Sequence, residues 1–137
     1  MMWISKNRIA HFEIRIGDIN YGGHLGNDKA LLLFQDARIR FLESIGFSER
    51  HIGDQAGIIL TEAHVYFRRE VFLHDTLYAD IAVAKVGNSS FELAYSVKRM
   101  VDEVEVLNGR TKQVAFDYER KKVTRLPEDF IRAIRQQ

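Results

Sequence analysis

The feature that most limits what this chain can fold into is one apolar stripe. Ala30, Leu33, Phe34, Ala37, Phe41 and Ile45 recur at spacings of three and four, with Leu31 and Leu42 widening the band, which is the period of a helix pressed against a core. Asn27 reads as its N-cap, Asp28 sets a carboxylate against the positive end of the dipole, and Gly46 supplies the stop. A helix over residues 27–45 is about 28 Å long at 1.5 Å per residue. So wide a stripe asks to be wrapped by a sheet.

The stretch that leads into it, GDINYGGHLGNDKALLLFQDAR, opens on a polar loop holding Asp18, Asn20, His24 and Asn27 among Gly22, Gly23 and Gly26. Helix starts present unpaired N–H groups that polarise a carbonyl or bind an anion, and glycines let a ligand approach them. Capping by Asn27 and water alone also satisfies such amides.

Nearly everything else alternates. Residues 10–16 place Ala10, Phe12, Ile14 and Ile16 on one side and His11, Glu13 and Arg15 on the other, a half-buried strand that delivers the chain to Asp18. FSERHIGDQAG is a polar connection with His51 at the surface. Residues 57–68 form the next strand, with Leu60, Glu62, His64 and Tyr66 on one face and Ile59, Thr61, Ala63, Val65 and Phe67 on the other. Turned toward the helix, Glu62 or His64 lines a site; turned outward, both are solvated.

Residues 76–86, 89–100 and 104–118 read as three further strands, separated at Gly87-Asn88 and Asp102-Glu103. Asn108-Gly109 falls inside the last, where continued alternation at Val114, Phe116 and Tyr118 favours a bulge over a hairpin turn. Pro127 then starts a short amphipathic helix, EDFIRAIR. Strands gathered beside one long helix imply an α+β domain, with a curved antiparallel sheet wrapped around one long central helix and a short C-terminal helix. A second copy would cover what the sheet leaves bare.

At 137 residues the chain is one domain, residues 1–137, with room for one full core. Its formal charge is +1 with mixed signs, which points to no nucleic acid and no membrane surface as partner. The absence of cysteine excludes disulfides and thiolate catalysis and suits the cytoplasm. MMWISKNRIA has no apolar core of a signal peptide, and no run of eighteen apolar residues follows. The five histidines show no ligand pairing, so neither a metal nor another cofactor is expected.

The segment RIGDINYGGHLGNDKALLLFQDARIRFLESIG resembles the hotdog-fold thioesterase superfamily, in the branch of 4-hydroxybenzoyl-CoA thioesterase and the acyl-CoA and acyl-carrier-protein thioesterases. The pattern there is an acidic residue, a spacer, a second acidic residue, a glycine-containing loop with histidine and asparagine, and a helix with an alanine-arginine pair. Asp18, Asn20, Gly23, His24, Asn27 and Ala37-Arg38 stand at the matching places. AHVYFRREVFLHDTL and LPEDFIRAI extend the likeness along most of the chain. It implies the hotdog fold, a homodimer or homotetramer with sites at the dimer interface, and an acyl-CoA or acyl-carrier-protein thioester as substrate.

One departure bears on mechanism: where the benzoyl-CoA branch has its catalytic carboxylate, this chain has Asn20. An amide orients a water or a carbonyl but cannot accept a proton. Asp18, on the same face if the strand stays extended, or His24 is then the base, with Glu62 a further candidate. Gly23, Asn27 and Asp28 border the substrate, helix amides near Asn27 hold the oxyanion, and Lys85, Arg68 and Arg69 are cations available to CoA phosphates. Leu31, Leu32 and Phe34 serve either an acyl pocket or a plain core. A non-catalytic acyl-CoA-binding protein and a hotdog 3-hydroxyacyl dehydratase are the alternatives.

Overall fold

The computed structural model describes residues 3–4 and 10–137. In chain order the elements are β1 (Trp3–Ile4), β2 (Ala10–Glu13), a 3-10 turn (Ile16–Asp18), α1 (Asn27–Ser44), β3 (Ala56–Phe67), β4 (Thr76–Val86), β5 (Ser90–Arg99), β6 (Glu105–Asp117), β7 (Lys122–Val123) and α2 (Glu128–Arg135). The central strands run β4-β5-β6-β3, with β1 and β2 both paired to β4 and β7 to β6. Every pairing is antiparallel. This is the expected α+β arrangement, a curved antiparallel sheet around a long helix with a short helix closing the chain.

The stripe on α1 does what its spacing requires. Ala30, Phe34, Ala37, Phe41 and Leu42 are fully buried against Leu77, Ile81, Leu93, Tyr95, Val97 and Leu107, each large side chain contributing roughly 1.5–3 kcal/mol. Phe34 stacks on Tyr95 with ring centroids 4.3 Å apart and planes 8° from parallel. Gly109 lies beneath this pair: a Cβ there would meet the Phe34 ring at 2.8 Å and collide with the His64 carbonyl. Glycine therefore sets how closely sheet and helix approach.

The helix ends as the sequence suggests, since Gly46 takes φ 87° and the amides of Gly46 and Phe47 donate to the carbonyls of Glu43 and Leu42 in a Schellman motif. Its start differs. Gly26, not Asn27, occupies the cap position, no side chain caps the first amides, and Asn27 is the first helical residue. At the other end of the chain, Phe130 of α2 sits edge-on to Phe47 and Phe91, with centroids 5.1 and 5.2 Å apart. Among the described residues no helix is long and apolar enough to cross a membrane.

Three expectations need correction. β2 stops at Glu13 and Ile16 is exposed, because the chain tightens into the 3-10 turn, where the Asp18 carboxylate accepts the Arg15 amide at 2.9 Å. The stretch is not extended there, so the geometry that put Asp18 and Asn20 on one face is absent. Asn108-Gly109 is not a bulge: both residues stay in register opposite Tyr66 and Val65.

The β3–β6 irregularity instead falls between Leu60 and Glu62. One extra residue, Thr61, inverts the alternation. Leu60 pairs with Gln113, and Glu62 with Lys112 on the opposite face, so the two do not share a face as strict alternation requires. The connection at residues 47–57 is also less polar than it reads: His51 is exposed, while Ile52 is fully buried.

Candidate functional site

The loop before α1 is a miniature hairpin. Ile19 bridges Leu25, the Asn20 amide donates to the His24 carbonyl at 2.8 Å, and the Gly23 amide closes a turn on the Asn20 carbonyl at 3.0 Å. Gly23 accommodates φ 84° where a side chain would be strained. Asn20 Oδ1 accepts the amides of Gly22 and His24 at 2.9 and 3.4 Å, so its oxygen organises the turn.

A second backbone bond sets what faces this hairpin. The Leu25 amide donates to the Val71 carbonyl at 3.0 Å, which lays the turn after β3 against the loop and brings Glu70 to His24. His24 Nε2 and Glu70 Oε2 are 3.7 Å apart, with side chains 45% and 64% exposed. A contact so exposed, an ion pair only when the histidine is protonated, contributes at most about 1 kcal/mol to stability. The Phe72 ring meets the imidazole edge-on at 5.3 Å and fixes one side of it.

Asn20, His24, Asn27, Glu70, Phe72 and Arg99 all border one cavity of about 650 Å³ at the start of α1, a volume usual for a small-molecule site. Gly26 N–H donates to the Asp18 carbonyl and Lys29 N–H to the Gly26 carbonyl. The amides of Asn27 and Asp28 lack intrahelical acceptors by position, and no side chain among the described residues caps them.

The other sequence candidates lie elsewhere. The Asp18 carboxylate caps the 3-10 turn and does not border the cavity. Asp28 folds back over Gly26, where a Cβ would meet its Oδ1 at 2.8 Å. Glu62 is on the outer face of β3, 3.7 Å from His64 and 3.6 Å from Lys112. Arg68 and Arg69 border the cavity as exposed residues, and Lys85 does not border it. Phe34 is core, while Leu31 and Leu32 line a separate groove of about 430 Å³ with Gln35, Ile58, Leu60 and Tyr118.

Sequence reasoning missed Glu70 and Arg99. The only signal for Glu70 was an acid set between Arg69 and the apolar turn at the end of a strand. Also unforeseen was a buried polar cluster halfway along α1. Arg38 donates from Nε to Glu49 at 2.8 Å and from Nη1 to the Tyr95 hydroxyl at 3.0 Å, and that hydroxyl lies 2.6 Å from Thr111 Oγ1. Burial opposes the Arg38 charge, but Tyr95 and Glu49 outweigh it and its pKa is raised. Burial pushes the Tyr95 phenol up, against the pull of Arg38 and Thr111.

Among the described residues no group of three or more His, Asp or Glu side chains converges as a metal site would require.

Residues 14–134 match the model of a family described as the thioesterase-like superfamily. Solved structures share the fold, which is thereby the hotdog fold of thioesterases. A 1,4-dihydroxy-2-naphthoyl-CoA thioesterase from Synechocystis superposes with a TM-score of 0.82 at 17% identity, covering 91% of this chain and 93% of that one. A gentisyl-coenzyme A thioesterase superposes with a TM-score of 0.81 at 20% identity, covering 91% of this chain and 98% of its own. A hypothetical protein from Staphylococcus aureus, solved in complex with CoA, gives 0.83 at 16% identity over 93% of this chain and 80% of that one. No curated protein matches in sequence.

Proposed function

The chain belongs to the thioesterase-like superfamily, and from that premise we propose that it hydrolyses an acyl thioester to the free acid and thiol. The observation that carries this is the convergence of Asn20, His24 and Glu70 on one cavity at the uncapped start of α1. In the proposed reaction the Asn27 and Asp28 amides polarise the thioester carbonyl and stabilise the oxyanion that forms. His24 takes a proton from the attacking water and returns it to the departing thiolate, while Glu70 orients the imidazole and balances its transient charge. Asn20, with its oxygen held by the loop, has its side-chain N–H groups to position the water or the carbonyl.

CoA is the proposed carrier. Exposed Arg68 and Arg69 at the cavity rim suit its phosphates, and a structural neighbour was solved with CoA. The proposal includes a homodimer: among the described strands β3 pairs with β6 alone, which leaves its other edge open, and exposed Leu31, Leu32 and Leu60 line the groove beside it.

Thiol release measured over short, medium, long and aromatic acyl-CoAs tests the assignment. Wild type turns over at least one class, and Glu70→Gln loses roughly tenfold or more. Asp18→Asn keeps an acceptor for the Arg15 amide, and a collapse in that variant would move the base to Asp18. The second reading, acyl-CoA binding without turnover, is favoured by the engagement of Asn20 in the turn. It prevails if wild type binds acyl-CoA without releasing thiol and Asn20→Asp gains activity.

A further inference from the structure

The three arginines that border the cavity differ in how they are held. Arg68 and Arg69 are exposed at its rim, with Arg68 over the Tyr66 ring at 4.9 Å and Arg69 donating to the Arg68 carbonyl at 2.8 Å. Arg99 ends β5 opposite Leu77, on the face that turns Tyr95 and Val97 toward α1. Its side chain keeps only 18% of its surface.

Nη2 of Arg99 donates to the Glu70 carbonyl at 3.2 Å, so the guanidinium is tied to the backbone of the residue whose carboxylate faces His24. Its Nε is buried and has no hydrogen-bond acceptor among the described residues; the carboxylate in ion-pair range, Asp102, stands 3.7 Å off and is itself 45% exposed. A buried donor left without an acceptor costs about 1–3 kcal/mol, and more when charged. The cavity that Arg99 borders has Leu25, Phe67, Val71 and Leu107 as apolar lining beside its polar groups. Three arginines face a single carboxylate, Glu70, among the residues that border this space.

We propose that Arg99 selects the acyl group, and that the preferred substrate is the thioester of a dicarboxylic acid, whose free carboxylate meets the Arg99 guanidinium within the cavity. This rests on the thioesterase reading and specifies its substrate class. A carboxylate offers two oxygens to a fork of N–H donors, a match that neither an alkyl end nor a single hydroxyl provides. Arg68 and Arg69 remain for the phosphates. The acyl carboxylate would take guanidinium N–H groups on the cavity side, while Nε, sealed from solvent, stays turned to Asp102.

The test compares matched pairs, adipoyl-CoA with hexanoyl-CoA and glutaryl-CoA with pentanoyl-CoA, together with the same acyl groups on pantetheine, which lacks the nucleotide phosphates. In wild type kcat/KM favours the diacid member by about tenfold or more, and the ratio persists on pantetheine. Arg99→Gln brings the ratio near one, Arg99→Lys restores part of it, and Asp102→Asn raises it by freeing the guanidinium. The inference is overturned if wild type shows no preference for the diacid, prefers a hydroxylated acyl group to a carboxylated one, or keeps its ratio in Arg99→Gln. A ratio seen on CoA and lost on pantetheine also overturns it, since Arg99 would then be a phosphate contact. If no thioester releases thiol, the thioesterase reading fails by itself, and the same pairs titrated calorimetrically decide the role of Arg99 through the ratio of their Kd values.

Discussion

Helix α1 carries two polar clusters, and they are opposites. At its start, His24 and Glu70 stand 3.7 Å apart, about half exposed, in an open cavity. Halfway along, Arg38, Tyr95 and Thr111 are nearly sealed from solvent and joined by bonds of 2.6 and 3.0 Å. The members of the inner cluster are occupied with one another, although Arg38, Glu49 and Thr111 also line the groove beside Leu31 and Leu32. The outer one is held in place by backbone bonds, so its side chains remain available to something else. Chemistry belongs with the groups whose hydrogen-bonding capacity is not consumed by the fold, and fold energy with those whose capacity is.

The largest effect expected at the outer cluster is kinetic. His24→Ala should lower kcat by roughly 10²–10⁴-fold and leave the thermal midpoint near that of wild type, because a half-exposed imidazole bears little of the core. Thiol-release kinetics beside a melting curve read both quantities. A variant that melts early while its folded fraction stays active would erase the contrast between the two sites.

Arg38→Met probes the inner cluster and should do the reverse. Removing the guanidinium strands the Tyr95 hydroxyl on Thr111 alone and leaves Glu49 without its ion-pair partner. The expected cost is about 2–4 kcal/mol, seen as a lower denaturation midpoint in urea, with kcat of the folded fraction changed little. A stable, inactive Arg38→Met would mean that the inner cluster serves the reaction.

The smallest effect sharpens the comparison through pH. Burial raises the Tyr95 pKa above its ordinary value of 10.0, so the unfolded chain loses this proton first as the solution turns alkaline. The stability from keeping the phenol neutral is complete below pH 10 and declines as pH rises toward the folded-state value. Stability measured from neutral pH into the alkaline range should therefore fall more steeply in wild type than in Tyr95→Phe. Parallel curves would mean that the phenol ionises as easily inside as outside.

How much of this could be read from the sequence depends on the distance over which each feature is encoded. Local patterns were legible: the stripe of α1, the stop at Gly46, β4 with both its limits, and the crowding of Asn20, His24 and Asn27 into one loop. Features made by contacts between distant segments were not. Glu70 reaches His24 only because the Leu25 amide binds the Val71 carbonyl, a pairing across more than forty positions that no local period announces.

Arg38 was visible as half of the alanine-arginine pair, but its burial was hidden for another reason. A cation on a helix reads as surface, and only partners from β5, β6 and the connection after α1 make its burial tolerable. The single residue added at Thr61 likewise turned Glu62 away from Leu60, a reversal that alternation cannot foresee. The candidate cavity was therefore half visible: the loop that offers the histidine, but neither the acid nor the buried cation that complete it.

The turn built on Asn20 has a genetic consequence. Its side chain contributes an oxygen to two backbone amides, a service that an aspartate, one base change away, performs equally well. The loop thus keeps its shape whichever of the two it inherits, and a lineage can cross between amide and acid here, gaining or losing a proton acceptor, without ever passing through a misfolded ancestor.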